Sequence, residues 1–228
     1  MIAMRPAQER GHANFGWLDT HHTFSFGHYY DPKWMGHSAL RVINEDHVTP
    51  GSGFGTHPHA NMEILTCVLE GAIEHKDSLG NVERIPAGEF QLMSAGSGIR
   101  HSEYNPSPTE PLSFLQIWIE PNEHGTTPGY QQKRIEAQPG MTLVASPTGE
   151  QGSFTICQQA RVWRLQLAAG ESLTWALQGR NGYLHMISGE LTTGGLTAQA
   201  GDGLFSRDEP NWELMAESAT EALLFDLP

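Results

Sequence analysis

The stretch from Thr56 to Tyr104 opens with T-H-P-H-A (Thr56–Ala60) and closes with R-H-S-E-Y (Arg100–Tyr104), and each end sets two metal-competent side chains one residue apart. Successive side chains on a β-strand point to opposite faces, so His57 and His59 share a face and so do His101 and Glu103. If the two strands are neighbours, the four groups converge. Three neutral imidazoles and one carboxylate suit a divalent first-row metal (iron, manganese, cobalt, nickel, copper or zinc), and a six-coordinate ion would keep positions open for chemistry.

The sequence around this stretch reads as strands and turns. Gly51, Gly53 and Gly55 give a flexible approach to His57, and Ile64–Leu69 (I-L-T-C-V-L) is the apolar run of a strand buried on both faces, stopped at Glu70-Gly71. Asp77–Asn81 (D-S-L-G-N) is a hairpin-like turn, Pro86-Ala87-Gly88 a corner, and Glu89–Met93 a further strand. Leu112–Glu120 (L-S-F-L-Q-I-W-I-E), dense in branched and aromatic residues, closes the first half. Upstream, Thr20–Phe26 (T-H-H-T-F-S-F) has the parity of a half-buried strand, and Ala39–Ile43 is expected to form another. From Pro121 to about Pro147 the composition turns to Pro, Gly, Gln and Thr, which predicts a connector. The expected division is a metal-binding domain over residues 1–125, a connector over 126–147 and a second domain over 148–228.

The second half repeats the first in shorter form. Met186–Leu191 resembles Val68–Ile73, and Ala200-Gly201-Asp202 resembles Ala87-Gly88-Glu89. Matching the glycines places Trp175 and Leu177 opposite His57 and His59, and Leu214 and Ala216 opposite His101 and Glu103. The second copy has no ligands, so a purely structural reading leaves the first copy's cluster unexplained.

Composition bounds the function. With 13 Lys and Arg against 26 Asp and Glu, the formal charge of −13 opposes direct binding of DNA or RNA, which rests on Lys and Arg neutralising phosphates. Cys67 and Cys157 sit in apolar runs and read as small buried hydrophobes, as in a reducing cytoplasm. There is no uncharged apolar run of roughly 18 residues, so no membrane association is expected, and Met1–Gly16 carries too many charges for a secretory signal.

Gly51-x5-His57-x-His59-x3-Glu63-x7-Gly71 resembles the first cupin motif, and Gly80-x5-Pro86-x-Gly88 the start of the second. The Glu63–Gly71 interval is one residue longer than usual, and the histidine of the second motif comes late, at His101. Those departures, with T-H-P-H (Thr56–His59), P-A-G-E-F-Q-L-M-S-A-G-S-G-I-R-H-S-E (Pro86–Glu103) and H-T-F-S-F (His22–Phe26), resemble bacterial pirins. The resemblance implies an all-β bicupin, two antiparallel β-barrels facing each other, with metal in the N-terminal barrel only. Carried over residue by residue, the pirin ligands fall on His57, His59, His101 and Glu103. Glu63, which ordinary cupins use as a ligand, is left as a carboxylate that supports a ligating histidine or as a solvated neighbour.

The resemblance further implies a quercetin 2,3-dioxygenase-type oxygenase. Its partners would be a flavonol and O2, its cofactor one divalent metal with iron first among the candidates, and its product carbon monoxide beside the opened heterocycle. A metal lowers the pKa of a coordinated hydroxyl, and Glu103 is the candidate base that accepts the proton. The competing expectation, also from the family, is a metal-binding redox sensor or co-regulator that acts through a protein partner. An enzyme should show a pocket of a few hundred Å3 beside the ligands, whereas an interaction protein should show a broad exposed apolar patch. His21 and His22 are read as structural, and His75, His124 and His185 fit no ligand spacing. Phe24, Phe26 and Trp118 are read as core before pocket wall.

Overall fold

The computed structural model of the protein describes residues 1–178 and 181–228. In chain order the first strands are β1 (Ala3–Arg5), β2 (Gly11–Asn14), β3 (Leu18–His22), β4 (Leu40–Val48), β5 (Gly53–His59) and β6 (Glu63–Glu70). They are followed by β7 (Ala72–Asp77), β8 (Val82–Pro86), β9 (Glu89–Ser94), β10 (Ile99–Tyr104), β11 (Leu112–Ile119) and β12 (Gly129–Arg134). The remaining strands are β13 (Gly140–Ser146), β14 (Phe154–Thr155), β15 (Arg161–Leu167), β16 (Ser172–Ala176) and β17 (Asn181–Ser188), then β18 (Glu190–Thr193), β19 (Leu196–Gln199), β20 (Gly203–Arg207), β21 (Asn211–Ala216) and β22 (Thr220–Leu227). Helix is confined to two short 3-10 turns among the described residues.

The chain divides into two compact units. Residues 11–36 and 40–135 form one, with a seven-stranded sheet β12-β9-β6-β11-β4-β3-β2 and a four-stranded sheet β5-β10-β7-β8. Residues 1–10, 37–39 and 136–228 form the other, with sheets β1-β20-β17-β22-β15-β13-β14 and β16-β21-β18-β19. Among the described residues, every pairing is antiparallel except the short contact of β13 with β14.

These boundaries differ from the expected ones in several places, β13 (Gly140–Ser146) among them, a strand inside the expected connector that pairs with β15. Inside the expected connector, Gly129–Arg134 is a strand paired with β9, because Tyr130 and Gln132 repeat the inward parity of Met93 and Gln91 despite the surrounding Pro and Gly. At the other end, Ala3–Arg5 pairs with Gly203–Phe205, about 200 positions away in sequence, so the first ten residues belong with the second half. The expected strand over Thr20–Phe26 ends at His22, and the chain then turns, with a Phe26–Tyr29 bridge and Gly27 in the left-handed region at φ 57°.

In the first unit the inward face of the large sheet is layered. One apolar cluster joins Leu18, Val48, Val68, Leu112 and Phe114 to Ile73 and Ile85 of the small sheet. A second joins Ile64, Met93 and Ile99, with Trp118 and Tyr130 packed against it. Between them runs a row in which each residue faces the next across neighbouring strands: His22, Asn44, Gln116, Thr66, Gln91 and Gln132. All six are polar. In the second unit a large apolar cluster fills the corresponding interior, and Trp175 and Trp212 pair across β16 and β21 with their rings edge to face at 5.3 Å.

Strand β5 approaches β10 so closely at Gly53 that a Cβ there would lie 2.3 Å from the Glu103 carbonyl oxygen and 2.5 Å from the Tyr104 Cα. Backbone cannot yield as a side chain can. Gly53→Ala is therefore expected to destabilise the protein by roughly 2–4 kcal/mol in urea unfolding; an unchanged midpoint would show that β5 can shift freely.

Candidate metal centre

The register of β10 against β5 brings the two dipeptide patterns together. His101 faces His57 and Ile99 faces His59, then a bulge shifts the pairing so that Glu103 faces Phe54. The rings of His57, His59 and His101 lie 4.5–4.9 Å apart, centre to centre, and one nitrogen of each falls within 4.8 Å of the others. A second group with the same spacing joins His101 and Glu103 to His75, which faces Glu103 from β7.

Several contacts fix how these groups point. The His57 Nδ1–H donates to the Gly55 carbonyl at 2.8 Å, which leaves Nε2 to face its neighbours. His59 is braced edge-on by Trp118 at 5.0 Å. His101 is 1% exposed, and neither of its ring nitrogens has a hydrogen-bond partner. A buried imidazole with both nitrogens unsatisfied is costly, and a cation held between it and its neighbours removes that cost. The donor set therefore fits a divalent metal. His75 is held by its Nε2–H donating to Asp77 at 3.1 Å, while its Nδ1 is buried and without a partner.

Glu103 is tied in from behind. Gln91 donates from Nε2 to one carboxylate oxygen and Gln116 from Nε2 to the other, both at 2.9 Å. Each glutamine is itself oriented: the Tyr130 hydroxyl lies 3.0 Å from Gln91 Oε1, and the Trp118 indole N–H donates to Gln116 Oε1 at 3.3 Å. Donors thus point inward along both chains, and the end of each is the carboxylate. Lone pairs remain on both oxygens.

Burial, aided by the neighbouring imidazoles, pushes His59 down to about 4 and His101 down to about 3. Both are neutral at pH 7, the form in which imidazole binds metal. Burial raises the Glu103 carboxyl, against the lowering effects of His75, His57 and the Gln116 hydrogen bond.

Of the residues singled out in the sequence, the structure groups His57, His59 and His101, and groups Glu103 with His101 and His75. Glu63 lies elsewhere: it shares parity with Leu65 and Cys67 on the opposite face of β6 from Thr66, and accepts a hydrogen bond from Ser94 at 2.8 Å. Glu63 is in neither histidine group. His75 was set aside on spacing and yet adjoins His101 and Glu103, because the partner that places it is a strand distant in sequence. His21 forms a surface group with His12 and Asp19, where His12 hydrogen-bonds Asp19 at 3.0 Å, and His22 donates from Nδ1 to Asn44 at 2.8 Å. Gln91 and Gln116 were missed, although a glutamine at an inward position of an apolar strand is a visible signal.

A cavity of about 800 Å3 opens on the exposed side of the cluster, with His57 and His59 in its wall. Trp17, Phe26, Tyr29, Phe54 and Trp118 make it aromatic, and Phe26 meets Trp118 edge to face at 5.3 Å. Phe24, by contrast, is buried core.

Two antiparallel β-sandwich units, with a histidine cluster and a carboxylate inside one and tryptophans filling the other, define a two-domain cupin. Residues 3–119 match the Pirin family, and residues 143–227 match the family described as Quercetinase C-terminal cupin domain. The chain belongs to the pirin family. It is 54% identical over 229 residues to quercetin 2,3-dioxygenase of Escherichia coli (strain K12), covering 100% of this chain and 99% of that one. It is 42% identical to a pirin-like protein of Caulobacter vibrioides, with 99% of each covered. Among solved structures, the bacterial pirin YhhW of Escherichia coli in complex with nickel(II) superposes with a TM-score of 0.97 at 54% identity, covering 100% of this chain and 99% of that one.

Two measurements follow from this geometry. Gln116→Leu removes one of the two donors to a buried carboxylate and is expected to cost roughly 1–3 kcal/mol; equal stability of variant and parent would mean that the carboxylate does not need it. For the metal-free protein, unfolded histidines protonate near 6.5 but folded His59 and His101 only near 4 and 3. The unfolded state therefore binds more protons in that window, so this contribution to stability is lost as pH falls from about 6.5 towards 3. His101→Phe should flatten the acid limb of a melting-temperature profile; an unaltered limb would assign the acid loss to other groups.

Proposed function

We propose that the chain holds one divalent metal at His57, His59, His101 and Glu103 and acts as a quercetin 2,3-dioxygenase, opening the flavonol heterocycle with O2 and releasing carbon monoxide. The observation that carries this reading is the buried, doubly unsatisfied His101 set between His57 and His59. Its support from relatives is the quercetin 2,3-dioxygenase at 54% identity over the full chain and the nickel(II) complex at the same identity.

Bound there, the metal would act as a Lewis acid that lowers the pKa of a flavonol hydroxyl. The remaining work falls to side chains of the chain. Trp118, Phe26 and the other rings of the cavity wall take the faces of a flat aromatic molecule and exclude water from it. Glu103 receives the hydroxyl proton: burial has already raised its affinity for one, and the two glutamine amides hold it in place. A carboxylate that binds metal tightly is a poor base, so Glu103 is a weak ligand or one that detaches as it is protonated. His57 and His59, in the cavity wall, set where the substrate oxygen arrives.

Three imidazoles and a carboxylate accept iron as readily as nickel, and we take iron as the first candidate, in a cytoplasmic protein. The volume and aromatic wall of the cavity favour the enzyme over a regulatory protein acting through a partner surface.

The test uses protein prepared without nickel resin, with metal analysis alongside O2 uptake and carbon monoxide release on quercetin. Glu103→Gln is expected to keep most of the metal and to lower kcat by at least ~100-fold. Undiminished turnover in that variant would remove the base, and absence of O2 uptake in the natural chain with any bound first-row metal would remove the dioxygenase.

A further inference from the structure

Beside its aromatic rings and the imidazoles of His12, His28, His57 and His59, the cavity wall carries polar side chains from β3, β4 and β11: Thr20, His22, Asn44, Asp46 and Gln116. Asn44 accepts a hydrogen bond from His22, and Gln116 donates to Glu103. Asp46 differs from them. It is 3% exposed and forms no ion pair among the described residues. It faces Thr20 on one side and Phe114 on the other, one row along the sheet from Asn44 and Gln116. The Thr20 hydroxyl is its polar neighbour, itself 2% exposed.

A buried carboxyl with only a hydroxyl beside it is expensive, and proteins retain such groups mainly where a ligand meets them. The charged and titratable groups around it are Glu103 and Glu45, which disfavour its ionised form, and His47, which favours it; burial is the largest influence and carries its pKa up to about 7. Near neutral pH the carboxyl can therefore either donate or accept a hydrogen bond. An aromatic wall alone would bind any flat apolar molecule, and a buried carboxyl in that wall breaks the indifference.

We propose that Asp46, with Thr20, is the recognition point for a second oxygen function of the substrate, so that the cavity selects flat aromatic molecules bearing a hydroxyl apart from the one presented to His57 and His59. The inference rests on the reading of the cavity as a flavonol site. It names a specificity-determining pair that touches the substrate away from the reacting bond, and therefore predicts an effect on binding that depends on the ligand's hydroxyls.

The test titrates full-length, metal-loaded protein with two probes under anaerobic conditions, following quenching of tryptophan fluorescence, since Trp17 and Trp118 lie in the wall. The probes are quercetin and 3-hydroxyflavone, which keeps the 3-hydroxyl and 4-carbonyl but lacks the outer hydroxyls. Asp46→Leu and the near-isosteric Asp46→Asn and Thr20→Val are compared, so a failure of the leucine variant to fold leaves two variants to decide. The expected result is roughly tenfold weaker quercetin binding in Asp46→Leu, a smaller loss in the other two, and 3-hydroxyflavone affinity and metal content within twofold of the parent. Equal losses for both probes, or none for either, would overturn the proposal. Parent protein that binds quercetin with this pattern but consumes no O2 in air would defeat the dioxygenase reading and leave the recognition pair standing. Parent protein that does not bind quercetin would defeat both.

Discussion

A carboxylate with an amide hydrogen bond on each oxygen sits at the centre of the first unit, and its needs dictate the rest of the interior. Glu103 is enclosed, and a charge there must be met by fixed donors because water cannot serve. Gln91 and Gln116 supply them, and these amides in turn need acceptor-side partners in Tyr130 and Trp118. One polar atom thus propagates a polar row from strand to strand. The apolar residues are displaced into two clusters on either side of it, which is why the unit has a layered interior in place of one continuous core.

The second unit shows the same sheets without that demand. Leu214 and Ala216, matched in the sequence to His101 and Glu103, are buried core residues, and Trp175, matched to His57, packs on Trp212. The direct cross-strand partners are Trp175 with Trp212 and Leu173 with Leu214, so the glycine-anchored matching is two residues out of step while keeping the correct face. A large aromatic pair stands at the strand positions that carry ligands in the first unit. Polar slab and tryptophan plug are two solutions to filling one shape, and they are exclusive: the plug leaves no room for a ligand, and the slab needs one.

The strand parity of His57, His59, His101 and Glu103 was legible because it is local, a matter of period-two spacing within six residues. The duplication was legible for the same reason, since turn glycines mark it. What escaped the sequence was set by pairing between distant strands. His75 looked unrelated to any motif, yet the register of β7 against β10 places it opposite Glu103. The strand Gly129–Arg134 was hidden by flanking breakers, and the pairing of Ala3–Arg5 with β20 has no local signature at all. Gln91 and Gln116 fall between these cases: their inward parity could be read, but their common target could not.

The strand order of the second unit also sets a timetable. Its sheet carries β22, the last strand of the chain, between β15 and β17, and the first strand β1 on its edge. The residues of the first unit end at Ile135. During synthesis its strands can all be present while the ribosome is still producing the second unit, whereas the second sheet has a gap at its middle until β22 emerges. Vectorial synthesis therefore completes the chemistry-bearing half first and leaves the plugged half, with its unpaired strand edges, as the slow and aggregation-exposed stage of biogenesis.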